Sequence, residues 1–246
     1  MPSVPVRLTR TRVRIVVTGL ALVLLVAVTT GLWHEESESA GGPLTPVRQD
    51  GDAPAALWIG DSYTIGHGAR GPAAGYPCLT SDALGWTCQL DAQSGTGFVN
   101  AGHRTNEAYV PLGERLEHTS EVFDDPDLVV VDAGRNDRDA SAAAFREAAV
   151  TYLDRVRSAF PDSELVVVLP FLLGNTDADY EAIDAILREA AADVDATVLD
   201  TTLPGWRRMV GSLATTDAIH PTAASHTAIA ERLVRDLQRL GIPRDL

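Results

Sequence analysis

Residues 56–62 read Ala-Leu-Trp-Ile-Gly-Asp-Ser, an apolar run of strand length that ends in a polar turn. This run predicts a strand over residues 56–59. Four further short segments predict strands over residues 87–92, 128–131, 165–169 and 197–200, which makes five in all. Helical patterns lie between them and predict helices over residues 76–84, 141–160, 177–194 and 222–240. Apolar strands separated by helices are typical of a parallel sheet covered on both faces. The predicted fold class is therefore α/β, a three-layer α/β/α sandwich.

The composition is that of a globular protein with a strongly acidic body. Of 246 residues, 45% are hydrophobic and 22% are charged, which excludes disordered, collagen-like and polytopic membrane proteins. The formal net charge is −14, from 34 acidic and 20 basic residues, and every basic residue is arginine. Such a body repels phosphate backbones, so we do not expect nucleic acid as a partner.

The first 34 residues carry a membrane-targeting pattern. Residues 15–33 contain no charged residue, follow four arginines and precede acidic residues that begin at Glu35. A helix over this run spans about 28 Å, close to the thickness of a bilayer core. Its basic side is expected in the cytoplasm and the rest of the chain outside it. The helix is either an uncleaved single-pass anchor in the cell membrane or a signal peptide whose cleavage releases a secreted protein.

The remaining chain divides into a linker and one folded domain. Residues 35–54 are rich in glycine, proline, serine and acidic residues, with little to bury, and predict a disordered linker. The folded domain is expected over residues 55–246.

The two cysteines, Cys78 and Cys88, are the candidates for a disulfide. Outside the cytoplasm such a pair can oxidise. On one straight helix the two would lie about 15 Å apart, too far to bridge. A chain reversal near Leu84 and Gly85 would bring them together, and two separate buried thiols are the alternative. A metal pair is not expected, because no histidine lies close in sequence.

Four loops carry residues that could perform chemistry. They are Gly60-Asp61-Ser62-Tyr63 after the first strand, 94–98 after the second, 134–137 after the third and 217–221 before the last helix. Taken singly, each is ordinary turn or helix-cap chemistry. In a parallel sheet, however, ligands bind beyond the carboxyl ends of the strands, where these loops lie.

The residue types in these loops suit acyl transfer. The Ser62 hydroxyl needs a base to become a nucleophile, and His220 is the natural candidate. Asp217, three residues before His220, can reach the imidazole across a tight turn and hold its tautomer. The Ser62 N–H, the Gly95 N–H and the Asn136 side-chain amide could stabilise the oxyanion, with Gly97 as a rival for Gly95. A Gly-x-Ser-x-Gly elbow is absent, since Thr64 stands where its second glycine would be.

The order and spacing of these four loops resemble the sequence blocks of the SGNH, or GDSL-type, serine hydrolases, over residues 55–240. The resemblance implies a flavodoxin-like five-stranded parallel sheet of order 2-1-3-4-5. It also implies a catalytic triad of Ser62, Asp217 and His220, and an oxyanion hole from Ser62, Gly95 and Asn136. Neither a metal nor an organic cofactor is implied. Arg135 fills the variable position of the third block and is expected to be a surface charge.

The leading functional hypothesis is an extracytoplasmic, lipase-like serine esterase acting on small-molecule, lipid or glycan esters. An envelope glycan O-acyltransferase or deacetylase could use the same triad, and an inactive membrane-anchored binding module is the hypothesis from another class. The sequence indicates neither the acyl chain, nor the alcohol, nor an oligomeric state. Two sets of residues remain open between substrate binding and packing: Trp206 with Arg207 and Arg208, and the aromatic residues Tyr63, Phe98 and Phe171.

Overall fold

The computed structural model describes residues 45–46, 53–102, 109–173 and 180–242. The predicted membrane helix lies outside the described residues. So does the predicted linker, except for residues 45–46 and 53–54. Among the described helices, none is both long enough and apolar enough to cross a bilayer.

A single sheet of six strands forms the centre of the described fold. The strands are β1 (Thr45–Pro46), β2 (Ala55–Gly60), β3 (Thr87–Ala92), β4 (Leu128–Asp132), β5 (Glu164–Val168) and β6 (Thr197–Leu199). Five of them run parallel in the order β3-β2-β4-β5-β6, which confirms the predicted order 2-1-3-4-5. The two-residue strand β1, inside the predicted linker, pairs antiparallel with β3 and adds one strand to the predicted five.

Seven helices accompany the described strands. Four match the predicted helices, namely α2 (Tyr76–Leu84), α4 (Ala142–Ala159), α5 (Glu181–Asp193) and α7 (Ala223–Arg239). Three were not predicted, because they are short or carry a weak apolar pattern: α1 (Ser62–Ile65), α3 (Leu112–Val122) and α6 (Pro204–Val210).

Both faces of the sheet are buried, which explains the apolar strands. Successive side chains of a strand point to opposite faces. Leu57 and Ile59 accordingly pack with α3, α4 and α5, whereas Ala56 and Trp58 pack with α2, α6 and α7. This is the predicted three-layer α/β/α sandwich.

Cys78 on α2 and Cys88 on β3 form a disulfide, with their Cα atoms 5.2 Å apart. The reversal between them occurs at Gly85, which ends α2 in the left-handed region at φ 81°. The predicted disulfide is thus present, and it joins a helix to an outer parallel strand of the sheet.

Candidate active site

Ser62 lies at the point where β2 ends and α1 begins. The side chain of Asp61 caps α1, because its Oδ1 atom accepts a hydrogen bond from the Tyr63 backbone N–H at 2.9 Å. Gly60 leaves no room for a side chain, since a Cβ there would lie 2.1 Å from Thr64 Oγ1 and 2.5 Å from the Asp132 carbonyl oxygen. This close packing directs Ser62 to the carboxyl edge of the sheet, next to the loops after β3 and β4.

Asp217 and His220 share a tight turn before α7. The Asp217 Oδ1 atom accepts hydrogen bonds from the backbone N–H groups of Ile219, at 3.1 Å, and His220, at 2.8 Å. Ala218 between them adopts φ 69°, a left-handed conformation that side chains other than glycine rarely take. The turn therefore sets the spacing of the carboxylate and the imidazole that the sequence predicted.

Ser62, His220 and Asp217 form a continuous chain of polar contacts. His220 Nε2 lies 2.9 Å from Ser62 Oγ, and His220 Nδ1 lies 2.7 Å from Asp217 Oδ2. Partial burial raises the pKa of the Asp217 carboxyl, but the hydrogen bonds from His220 and Ile219 outweigh it and lower that pKa to about 2. An ionised Asp217 accepts from the Nδ1–H and leaves Nε2 free to accept the Ser62 proton.

A second imidazole lies against the first. The rings of His67 and His220 meet edge to face, with their centroids 4.6 Å apart. Burial, and then the proximity of His220, lower the pKa of His67. His226 is fully buried and structural, because it accepts from the Tyr76 N–H at 3.1 Å and donates to the His67 carbonyl at 3.0 Å.

Asn136 lies in a short 3₁₀ turn after β4. Its Nδ2 atom donates to the Thr96 carbonyl oxygen at 3.0 Å and to Asp61 Oδ2 at 3.2 Å. The amide thus joins the loop after β3 to the residue that precedes Ser62. The structure brings this amide to the edge of the sheet where Ser62 lies.

The two candidate glycines after β3 have different surroundings. The Gly97 N–H donates to the Asn100 carbonyl at 2.8 Å, and a Cβ on Gly97 would lie 2.1 Å from Asp137 Oδ2. Gly97 is therefore needed for packing. Gly95 adopts φ 76°, and within the described ranges its N–H has no hydrogen-bond partner. A free N–H suits an oxyanion donor.

Arg135 is buried, not a surface charge as predicted. Only 4% of the residue is exposed, and it pairs with Asp132 and, at 3.1 Å, with Asp61. Burial raises the pKa of Asp61, and the attraction of Arg135 offsets only part of this rise. The expectation failed because a loop position in the sequence does not show that two buried carboxylates face it.

Arg115 is a second buried arginine near the site, and the sequence did not indicate it. From α3 it pairs with Asp91 at 2.7 Å and donates to the Gly60 carbonyl at 2.8 Å and to Thr96 Oγ1 at 3.1 Å. It therefore ties the end of β2 to the loop that contains Gly95. Arg115 lies in a weakly amphipathic segment and belongs to no motif, so nothing in the sequence predicted this role.

The residues left open between binding and packing prove to be mostly buried. Trp206, Tyr63, Phe98 and Phe171 are each at most 6% exposed and belong to the two apolar cores. Among the described histidine, cysteine and acidic residues, no group of three or more could hold a metal ion.

The chain matches the model of the GDSL-like lipase/acylhydrolase family over residues 58–228. No curated protein sequence matches the chain significantly.

Several solved structures share the fold. One is a carbohydrate esterase family 2 enzyme plus carbohydrate-binding domain from Corynascus thermopiles (Myceliophthora fergusii), with a TM-score of 0.63, 22% identity, and coverage of 80% of this chain and 69% of that chain. The psychrotrophic esterase EstA from Pseudoalteromonas sp. has a TM-score of 0.59, 16% identity, and coverage of 75% and 97%. An acetyl xylan esterase from the rumen bacterium Butyrivibrio proteoclasticus has a TM-score of 0.56, 17% identity, and coverage of 79% and 68%.

Proposed function

Because this chain belongs to the GDSL-like lipase/acylhydrolase family, and is thus an ester-hydrolysing enzyme, we propose that it cleaves carboxylic esters by a serine mechanism. Ser62 is the nucleophile, His220 the general base and Asp217 the acid that holds the imidazole. The observation that carries the proposal is the unbroken contact chain of 2.9 Å and 2.7 Å through these three side chains.

The first half of the reaction forms an acyl-enzyme. His220 Nε2 takes the Ser62 proton while Oγ attacks the ester carbonyl carbon. The resulting oxyanion accepts hydrogen bonds from the N–H groups of Ser62 and Gly95 and from the Asn136 amide. Both Nδ2–H groups of Asn136 donate within the protein, to Asp61 and to Thr96, so one of these two bonds must be given up to the oxyanion. When the tetrahedral intermediate collapses, the bond to the alcohol oxygen breaks and the imidazolium returns its proton to that oxygen.

Water completes the cycle. His220 removes a proton from a water molecule, whose oxygen attacks the acyl carbon, and the second tetrahedral intermediate collapses to release the acid and the protonated Ser62. Asp217 stays ionised throughout, since its pKa is about 2, and stabilises the imidazolium in both halves.

The proposed substrates are small acyl esters of glycans outside the cytoplasm. One of the structural neighbours is named as a carbohydrate esterase family 2 enzyme, and another as an acetyl xylan esterase. The Cys78–Cys88 disulfide suits an oxidising compartment, and the basic and apolar pattern of residues 7–33 suits export. Both features support a site that faces the cell envelope or the medium.

The test is ester turnover by the full-length protein in detergent. We expect hydrolysis of acetylated xylan and p-nitrophenyl acetate, weaker hydrolysis of the octanoate, and loss of turnover in Ser62→Ala. Ser158→Ala is the matched control, because Ser158 is exposed on α4 and its hydroxyl bonds, among the described residues, to the Asp154 carbonyl alone. Turnover by Ser62→Ala equal to that of the control would overturn the proposal.

A further inference from the structure

The hydroxyl of Tyr63 bonds to two segments that lie 156 and 110 residues away from it along the chain. It donates a hydrogen bond to the Ile219 carbonyl oxygen at 2.6 Å and accepts one from the Leu173 N–H at 3.1 Å. Ile219 lies inside the Asp217–His220 turn, and Leu173 belongs to the loop after β5. The buried Tyr63 hydroxyl thereby bonds to the peptide unit that links Ile219 to His220, and Tyr63 itself directly follows Ser62 along the chain.

The ring of Tyr63 is held in place on more than one side. The Arg135 guanidinium lies 4.6 Å from the ring centroid, and Phe171 packs edge-on at 5.8 Å. Only 1% of Tyr63 is exposed, so the hydroxyl has no room to turn toward solvent. Burial raises the pKa of the phenol to about 12, which keeps the hydroxyl protonated and able to donate.

The turn that carries His220 depends on contacts from outside. Inside the turn, the Ile219 and His220 N–H groups donate to Asp217 Oδ1, and the Thr216 N–H donates to the His220 carbonyl. These bonds set the shape of the turn but not its distance from α1. Within the described part of the chain, two hydrogen bonds join the 217–221 turn to α1. One is the Ser62–His220 contact itself, and the other comes from Tyr63.

We propose that Tyr63 is a positioning residue whose hydroxyl sets the distance between the Ser62 nucleophile and the His220 base. The inference rests on the proposed serine mechanism. Without this bond, the hydrogen bond that the reaction itself must break is the one hydrogen bond left, among the described residues, between α1 and the turn at Ala218. A displacement of about 1 Å between reacting groups can cost on the order of a hundredfold in rate.

The experiment compares two tyrosine variants in the full-length protein. Tyr63→Phe keeps the ring and its contacts with Arg135 and Phe171 and removes only the hydroxyl. Tyr152→Phe is the matched control, because Tyr152 is equally buried and its hydroxyl has no hydrogen-bond partner among the described residues. Turnover of p-nitrophenyl acetate gives kcat and KM. The enzyme concentration used for kcat is the concentration of sites that react with a fluorophosphonate probe.

We expect Tyr63→Phe to lower kcat by roughly tenfold to a hundredfold while KM changes less than about twofold. Tyr152→Phe should leave both constants near those of the wild type. A second readout is the low-field ¹H NMR signal of the His220 Nδ1–H, recorded well below the melting temperature. The signal should shift or broaden in Tyr63→Phe and stay unchanged in Tyr152→Phe. A general loss of stability would not produce this difference between the two variants.

Two outcomes overturn the inference, and they differ in what else they overturn. If Ser62→Ala is inactive but Tyr63→Phe matches Tyr152→Phe in kcat and in the NMR signal, Tyr63 has no positioning role and the serine mechanism stands. If Ser62→Ala retains full turnover, the mechanism fails and the positioning role fails with it.

Discussion

Asp61 Oδ2 accepts a hydrogen bond from Asn136 Nδ2 at 3.2 Å, so the carboxylate that precedes Ser62 also holds a candidate oxyanion donor. The other oxygen, Oδ1, caps α1 through the Tyr63 N–H. A single buried side chain therefore orients both the helix that presents Ser62 and the amide beside it. Any change that moves Asp61 should affect both parts of the site together.

The first prediction concerns the Asn136 amide. Asn136→Ala should lower kcat by roughly 10²–10³-fold, because removing one oxyanion donor weakens binding of the transition state more than that of the substrate. Steady-state turnover of p-nitrophenyl acetate measures the effect, with KM expected to change little. A kcat within about threefold of the wild type would show that Asn136 is not an oxyanion donor.

The second prediction concerns the buried charge of Arg135. Arg135→Met should lower the free energy of unfolding by about 3–5 kcal/mol, because it leaves Asp61 and Asp132 buried without their cation. Urea unfolding followed by circular dichroism measures this change.

The matched control is Arg146→Met. The Arg146–Glu189 pair lies on the surface, with 49% of the Arg146 side chain and 61% of the Glu189 side chain exposed, and should contribute less than about 1 kcal/mol. Equal losses in the two variants would contradict the role assigned to the buried cluster.

The third prediction concerns pH. The lowered pKa of Asp217, about 2, means that this carboxylate stays ionised from about pH 4 upward. Asp217 should therefore add no proton to the acid limb of log kcat/KM above about pH 4, and that limb should have a slope of one, from the protonation of a single base. A slope of two between pH 4 and 7 would mean that a second group must also lose a proton.

Asp217→Asn tests the same carboxylate directly. The variant should lower kcat by as much as about 10⁴-fold, because an amide that donates to Nδ1 selects the wrong imidazole tautomer. A loss of less than about tenfold would assign Asp217 to shaping the turn alone.

The fourth prediction concerns the disulfide. The Cys78–Cys88 bond closes a loop with a sequence separation of 10, so replacing both cysteines by serine should lower the free energy of unfolding by roughly 2–3 kcal/mol. Thermal unfolding of the oxidised protein, the reduced protein and the double variant measures this. Kinetic constants at 25 °C should stay near those of the wild type, since the bond joins α2 to β3 away from Ser62.

The strands and helices that could be predicted from the sequence are those with a clear local pattern. Apolar runs at 56–59, 128–131 and 165–169 predicted strands buried on both faces, and the structure contains them. The short helices α1 and α6 were not predicted, because a few residues show no periodicity. The strand at Thr45–Pro46 was missed because only its pairing with β3 makes it a strand.

In the candidate site, too, local features could be predicted from the sequence and long-range contacts could not. The sequence alone determined that Ser62, Asn136, Asp217 and His220 would follow strands or precede a helix, because turn residues and the three-residue Asp–His spacing are local. The tertiary structure alone decided that Arg135 would be buried against Asp61, and that the Tyr63 hydroxyl would reach Ile219. These partners lie 74 and 156 residues apart, and whether a charge or a hydroxyl is buried depends on neighbours that only the folded chain brings together.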